Sequence, residues 1–175
     1  MPDYRSFETE RLVLKPTSEE DAQFILELLN TPKWIAFIGD RNVNTLEDAK
    51  AYIDKRIAAQ FTKLGYGNYT VIRKSDGIKL GSCGLYDREG LEGIDIGFAF
   101  LPQFEKKGYA FESANKIMQV AINELKITQI KAITIKENIA SQKLLLKIGL
   151  EFEKTILIPN DSEELLLYTY KIAVD

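Results

Sequence analysis

The chain has 175 residues, 45% hydrophobic and 28% charged, a composition that fits one globular domain over residues 1–175 and excludes a disordered chain. Its 23 Lys and Arg against 26 Asp and Glu give a net charge of −3, so no global field favours nucleic acid or an anionic membrane, and phosphate recognition has to be local. Histidine is absent and cysteine occurs once, at Cys83, which excludes an internal disulfide and a Ser-His-Asp or Cys-His nucleophilic enzyme, and argues against a zinc, haem or iron–sulfur centre. Proton chemistry then falls to carboxylates, Tyr, Ser, Lys, water or backbone groups. Residues 1–10 are polar and no apolar run approaches the ~20 residues that span a bilayer, so a cytoplasmic protein is expected.

Residues 11–15 alternate as a first strand that stops at Pro16. Ser18, followed by Glu19, Glu20 and Asp21, reads as the cap and acidic first turn of a helix. Its apolar face is Ala22, Ile25, Leu26, Leu28 and Leu29, and it ends before Pro32. A second helix starts near Thr45, carries Leu46, Ala49, Ile53, Ile57 and Phe61 on one face, and ends at Gly65 and Gly67. Residues 69–73 and 78–85 flank Ser75-Asp76-Gly77 as a hairpin. After a turn at 90–93, residues 94–100 give the most regular alternation in the chain. Ile94, Ile96, Phe98 and Phe100 share one face, while Asp95, Gly97 and Ala99 share a small-residue face that a ligand or backbone can approach.

A loop at 103–108 precedes a long helix with Ala110, Ala114, Ile117, Met118, Ala121, Ile122 and Leu125 on one stripe. Residues 130–135 form a β-branched strand, and Asn138 caps a helix that Gly149 ends. Strands at 152–158 and 165–174 join through a turn at 159–162. The order β-α-α-β-β-β-α-β-α-β-β predicts an α/β (α+β) fold, a mixed sheet with helices on both faces.

Two constellations carry chemistry. The first is the strand, Pro102 loop and helix start at 101–110. A helix N-terminus offers unpaired N–H groups and about half a positive charge, and Lys106 and Lys107 add charge where cations do not help a helix. A pyrophosphate at this turn accounts for the arrangement; a solvated lysine pair on an ordinary helix is the plain alternative. Neither GxxxxGK[ST] nor GxGxxG occurs. The second is Asn138 with Ser141, three apart at a helix start and able to face the end of the preceding strand. The plain alternative makes Asn138 only a cap.

Glu8-Thr-Glu-Arg-Leu12, Gly81-Ser-Cys-Gly84, residues 96–102, Lys107-Gly-Tyr-Ala-Phe-Glu112 and Asn138-Ile-Ala-Ser141 through Gly149 occur in an order that resembles the GNAT superfamily of N-acetyltransferases, specifically its Rim-like branch of ribosomal-protein N-terminal acetyltransferases. The resemblance covers essentially the whole chain. It implies a mostly antiparallel seven-stranded central sheet, acetyl-CoA as co-substrate, an amine acceptor such as a protein N-terminus or a small amine, and no metal. The family's Q/R-x-x-G-x-G/A loop falls on Gln103 to Gly108, with Lys106 in place of the first glycine, a departure that removes a φ-permissive residue and adds a charge.

By the same resemblance, Lys106, Lys107, Gly108, Tyr109 and Ala110 hold the pyrophosphate, and the strand ending at Phe98, Phe100 and Leu101 pairs with the pantetheine. Asn138 contacts the cofactor and Ser141 sits near the thioester sulfur. Asp95 matches a family glutamate that takes the amine proton through water. Trp34 and Phe37 fall in the acceptor region, with core packing as their plain alternative. A homodimer is compatible with the family and with the apolar C-terminal strands. A coenzyme A-binding regulatory module that has lost turnover, suggested by Lys106, and a nucleotide-binding protein using the same helix end stay open.

Overall fold

A computed structural model describes residues 4–159 and 161–172. Asn160 of the expected last turn, and residues 173–174 of the expected last strand, lie outside them. The strands are β1 (Phe7–Glu8), β2 (Leu12–Pro16), β3 (Asn68–Arg73), β4 (Lys79–Tyr86), β5 (Ile94–Phe100), β6 (Gln129–Thr134), β7 (Glu151–Ile156) and β8 (Leu165–Lys171). They form one 8-stranded sheet in the order β1-β2-β3-β4-β5-β6-β8-β7. Only β5 and β6 run parallel. The mixed, mostly antiparallel sheet is as expected, with one strand more than the seven anticipated. The addition is β1, which pairs Phe7 with Leu14 and Glu8 with Val13 and is too short to show alternation.

The helices are α1 (Ala22–Leu29), α2 (Pro32–Phe37), α3 (Leu46–Tyr52), α4 (Ala59–Leu64), α5 (Tyr109–Asn123) and α6 (Ile139–Lys147). A π-helical stretch, Ile53–Ala58, joins α3 to α4, so the expected second helix is continuous but widened in the middle. Asp48 and Thr45 form a capping box at its start. The sequence reading did not anticipate α2. Thr31 caps it by accepting from the Trp34 amide at 3.3 Å and Pro32 opens it, but none of its side chains is fully buried, so no apolar stripe marks it. No helix among the described residues is long and apolar enough to cross a membrane.

The register of β5 fixes where a site can form. β4 pairs with it along its length, from Gly81 opposite Phe100 to Tyr86 opposite Asp95. On its other edge β6 pairs only through Ile94–Ile130 and Asp95–Lys131, so β5 beyond Asp95 carries an unpaired backbone edge. The chain then enters α5, which packs across β2, β4 and β5. Ala114 and Ala121 are fully buried on that face, and their small side chains permit close approach.

The turn before α5 is shaped by two left-handed residues, Lys106 at φ 59 and Gly108 at φ 83. Lys106 therefore adopts the backbone that a glycine would hold more cheaply. Glu112, in the first turn of α5, accepts from the Thr9 hydroxyl at 2.6 Å, the Arg11 amide at 2.9 Å and Arg11 Nε at 2.7 Å. Arg11 also donates to the Lys107 carbonyl at 3.2 Å and lies 4.4 Å over the Tyr109 ring. The Thr-Glu-Arg segment is thus a brace for the helix start. Burial pushes the Glu112 carboxyl up, but the bonds from Thr9 and Arg11 outweigh it and hold the group below its ordinary value of 4.5.

Two outcomes follow for stability. Lys106→Gly relieves the left-handed strain and should raise unfolding stability by about 0.5–1 kcal/mol in urea titration, part of the relief being offset by glycine's greater freedom when unfolded. Glu112→Gln should cost about 1–3 kcal/mol at neutral pH. Because the folded pKa is depressed, this contribution is complete above the unfolded value near 4.5 and disappears as pH falls through the folded value, so the gap between variant and parent should close in acid. A gap that persists there would assign the loss to packing.

Candidate active site

A cleft of about 370 Å³ opens between α2, the end of β5, the turn before α5 and the start of α6. Its apolar lining includes Trp34 and Phe37 of α2, Phe98 and Phe100 of β5, and Phe104 and Phe111 beside the turn. Its charged rim is mostly basic, with Lys33, Lys106, Lys143 and Lys147 against Glu105. Lys33 pairs with Glu105 at 3.0 Å and so ties α2 to the turn, while Lys147 Nζ lies 4.1 Å over the Phe111 ring.

The turn itself presents donors. The first amide here with an internal acceptor is Glu112 N, which donates to the Gly108 carbonyl at 3.0 Å. Among the described residues, the backbone N–H groups of Lys106 through Phe111 donate to nothing within the protein. With the partial positive charge of a 15-residue helix behind them and lysines at the rim, they suit an anionic group with several oxygens. The unpaired edge of β5 leads away from this turn and suits an extended chain with amide groups. Trp34 Nε1 is buried without a hydrogen-bond partner, a further donor at the cleft wall. These groups fit the phosphates and pantetheine amides of coenzyme A.

Asn138 and Ser141 meet at the start of α6. Asn138 Oδ1 accepts from the Ser141 amide at 3.2 Å, so Asn138 is the helix cap, and both side chains also line the cleft. Capping and facing the ligand are compatible because the bond uses only the amide oxygen of Asn138.

Asp95 stands apart from the cleft lining, at the rung where β5 and β6 part. It is 1% exposed, and its Oδ2 accepts from Arg88 Nε at 3.2 Å and Nη2 at 3.1 Å. Its Oδ1 has no partner among the described residues. Burial raises the carboxyl above its ordinary 3.8, and the Arg88 guanidinium opposes the rise. The small-residue face expected to be open is partly filled by the protein itself. A Cβ on Gly97 would lie 2.9 Å from Tyr86 Cε2, so glycine there admits the tyrosine ring. Cys83 is fully buried, its thiol pushed up to about 12 by desolvation, which makes it a core residue.

Of the residues singled out from sequence, Trp34, Phe37, Phe98, Phe100, Lys106, Gly108, Tyr109, Ala110, Asn138 and Ser141 line one cleft. Leu101 does not; it is 3% exposed and its amide donates to the Leu80 carbonyl. Gln103 and Lys107 are exposed outside the lining. Sequence reasoning missed Lys33, Phe104, Phe111, Lys143 and Lys147. Only the four-residue spacing of Lys143 and Lys147, which follows Asn138 along the helix, gave a usable signal.

The sequence profile of the family described as "Acetyltransferase (GNAT) domain" matches residues 11–151. Over 145 residues the chain is 30% identical to the uncharacterized N-acetyltransferase YnaD of Bacillus subtilis strain 168, covering 83% of this chain and 82% of that protein. A GNAT-family acetyltransferase structure from Bacillus anthracis matches with a TM-score of 0.79 at 25% identity, covering 95% of this chain and 98% of that one. RimL, a ribosomal L7/L12 alpha-N-protein acetyltransferase solved with coenzyme A, matches in fold with a TM-score of 0.80 at 16% identity, covering 96% and 98% of the two chains. With a profile match across most of its length and these relatives in sequence and fold, the chain belongs to the GNAT family of acetyltransferases.

Proposed function

We propose that the protein moves the acetyl group of acetyl-CoA directly to a primary amine, in the manner of the Rim-like branch of its family. The observation that carries this reading is the run of free amides from Lys106 to Phe111, set among lysines and continuous with the unpaired edge of β5. RimL, a neighbour in fold, is described with coenzyme A bound. The amides of Lys106 to Ala110 hold the pyrophosphate, and the edge of β5 at Phe98 and Phe100 holds the pantetheine amides. Asn138 orients the same arm. Trp34 and Phe37 wall the acetyl-group end, where Trp34 Nε1 gains a partner. A lone Cys83 suits a reducing cytoplasm.

The chemistry assigned to the chain's own groups is as follows. An amine attacks only when neutral, and α-amino and lysine groups titrate near 8 and 10.4. Asp95 takes the proton, directly or through one water, with its unpartnered Oδ1 as the accepting atom. Burial raises its pKa, which makes it a stronger base than an exposed carboxylate, and the Arg88 guanidinium opposes the rise. Amide donors on the free edge of β5 receive the charge that develops on the acetyl oxygen. As the N–C bond forms and the C–S bond breaks, Ser141 donates a hydrogen bond to the departing sulfur. The departing thiolate takes up the remaining surplus proton of the attacking nitrogen through water, so that nitrogen becomes the amide and coenzyme A leaves as the free thiol.

The reading of a coenzyme A-binding module without turnover drew on lysine replacing a loop glycine. Lys106 at φ 59 keeps the left-handed turn, which removes that reason.

Calorimetric titration should show coenzyme A binding that ATP does not compete away, and thiol release from acetyl-CoA should occur with some member of an amine panel. Binding without release for any amine would favour the module. Ser141→Ala should lower kcat by roughly tenfold or more and leave coenzyme A affinity nearly unchanged, a hydrogen bond to a charged sulfur being worth about 1.5–3 kcal/mol. Loss of affinity instead would make Ser141 a cofactor anchor. Turnover should fall as pH drops through the raised pKa of Asp95, because the base must be ionised. Asp95→Asn should remove that acid limb and cut kcat by about 10²–10⁴.

A further inference from the structure

We infer that the acceptor is an amine carrying a second positive charge, recognised by an acidic rim at the end of β5 opposite the basic cleft; this rests on the acetyl-transfer reading above. The rim is built from two loops that touch. The loop joining β4 to β5 is locked against the loop joining β7 to β8, since a Cβ on Gly90 would come within 2.2 Å of Pro159 Cδ. The first loop carries Asp87, Glu89 and Glu92, and the second Asp161, Glu163 and Glu164, all exposed. The one basic residue in either loop, Arg88, is occupied by Asp95. Asp87 pairs with Lys63. Among the described residues, Glu89, Glu92, Asp161, Glu163 and Glu164 have no ion-pair partner.

A second observation points to a ligand here, independently of the rim's charge. Asp95 is 1% exposed, yet Oδ1 lacks any hydrogen-bond partner. Its other oxygen is gripped by Arg88, which belongs to the first acidic loop. Arg88 thus joins the carboxylate to the rim loop through Oδ2, and Oδ1 is left as a buried accepting atom that a cationic nitrogen or its water would satisfy.

Chemistry selects a dication over a monocation. Asp95 removes the charge of the attacking nitrogen, so a monoamine reaches the transition state neutral and the rim no longer attracts it. An amine with a second ammonium or guanidinium keeps that attraction through the transition state, which raises kcat/KM. The rim's carboxylates would also hold a monoamine in its unreactive protonated form. Free linear polyamines and peptide N-termini followed by lysine or arginine share this chemistry.

The test measures thiol release from acetyl-CoA with 1,4-diaminobutane against n-butylamine. A second arm sets a peptide with lysines after its N-terminus against the same peptide with glutamines. The dication should lead by about tenfold in kcat/KM at low salt and lose that lead at high salt, where the screening length falls to a few ångströms. The arm with the larger lead identifies the source. Replacing four of the exposed carboxylates together, Glu89→Gln, Glu92→Gln, Glu163→Gln and Glu164→Gln, should bring the ratio of dication to monocation towards one. Equal rates for the pair, preference for uncharged or acidic amines, or a ratio that the quadruple variant does not move would overturn the inference and leave acetyl transfer standing. No release with any amine, despite coenzyme A binding, would overturn the transfer reading. Titrating spermidine into the coenzyme A-bound protein then judges the rim separately: binding that the variant loses supports it, and no binding overturns it.

Discussion

The Glu112 carboxylate holds open the one helix end from which the site is built. A buried N–H without an acceptor costs about 1–3 kcal/mol, so a chain does not leave the amides of Lys106 through Phe111 unsatisfied unless they face solvent or a ligand. An α-helix leaves its first four N–H groups without intrahelical partners, and here the turn ahead of them is fixed from outside. Glu112 fixes the first helical turn to Thr9 and Arg11, and Arg11 occupies the Lys107 carbonyl. Arg73 reaches the Tyr109 hydroxyl at 3.4 Å and lies 5.3 Å over the Phe104 ring, which steadies the other side. A carboxylate in the first turn also favours the helix dipole, so the brace strengthens the helix while leaving its N–H groups free.

The same strand organises two opposite electrostatic environments. One end of β5 runs into a turn lined by Lys106, with Lys33, Lys143 and Lys147 across the cleft; the other starts from a loop that carries Asp87, Glu89 and Glu92, with Asp95 at its foot. A net charge of −3 conceals this division, because the two signs nearly cancel over the chain. The parting of β5 from β6 after Asp95 connects the two ends. On the reading proposed above, the anionic cofactor and the cationic acceptor approach from opposite ends of this strand, and the unpaired segment lies between them.

Much of this was legible in the residues. The period-two pattern at 94–100, the 3.6-residue stripe of α5 and the cap at Asn138 each belong to a segment long enough to repeat. The turn at 103–108 stood out through its lysines, placed where cations do not help a helix. What stayed hidden has a physical reason in each case. β1 has no room for a repeat, and α2 buries nothing fully, so neither leaves a hydrophobic signature. The cleft wall takes Lys33 from α2 and Lys147 from the end of α6, and no local pattern records that they line one cleft. Lys106 breaks the family's glycine pattern, yet its backbone takes the glycine conformation, a case where tertiary context overrides a residue's preference.

Asp95 shows how closely the alternation of one strand is divided among tasks. Asp95, Gly97 and Ala99 share a face of β5. Ala99 borders the cleft, Gly97 makes room for the Tyr86 ring, and that tyrosine, opposite Asp95 in the ladder, uses its hydroxyl to donate to Asn68. Asn68 in turn donates to Thr17, whose hydroxyl meets that of Thr70 at 2.8 Å. The phenol is thus committed to a polar chain leading away from Asp95, and the carboxylate keeps Arg88 alone. A buried ion pair of this kind adds little stability over a well-packed apolar pair, and an orphaned oxygen makes it worse. Stability therefore does not account for Asp95. A desolvated carboxylate, held by a single arginine and left with one lone-pair site unfilled, has the properties that the proposed proton removal from an approaching amine requires.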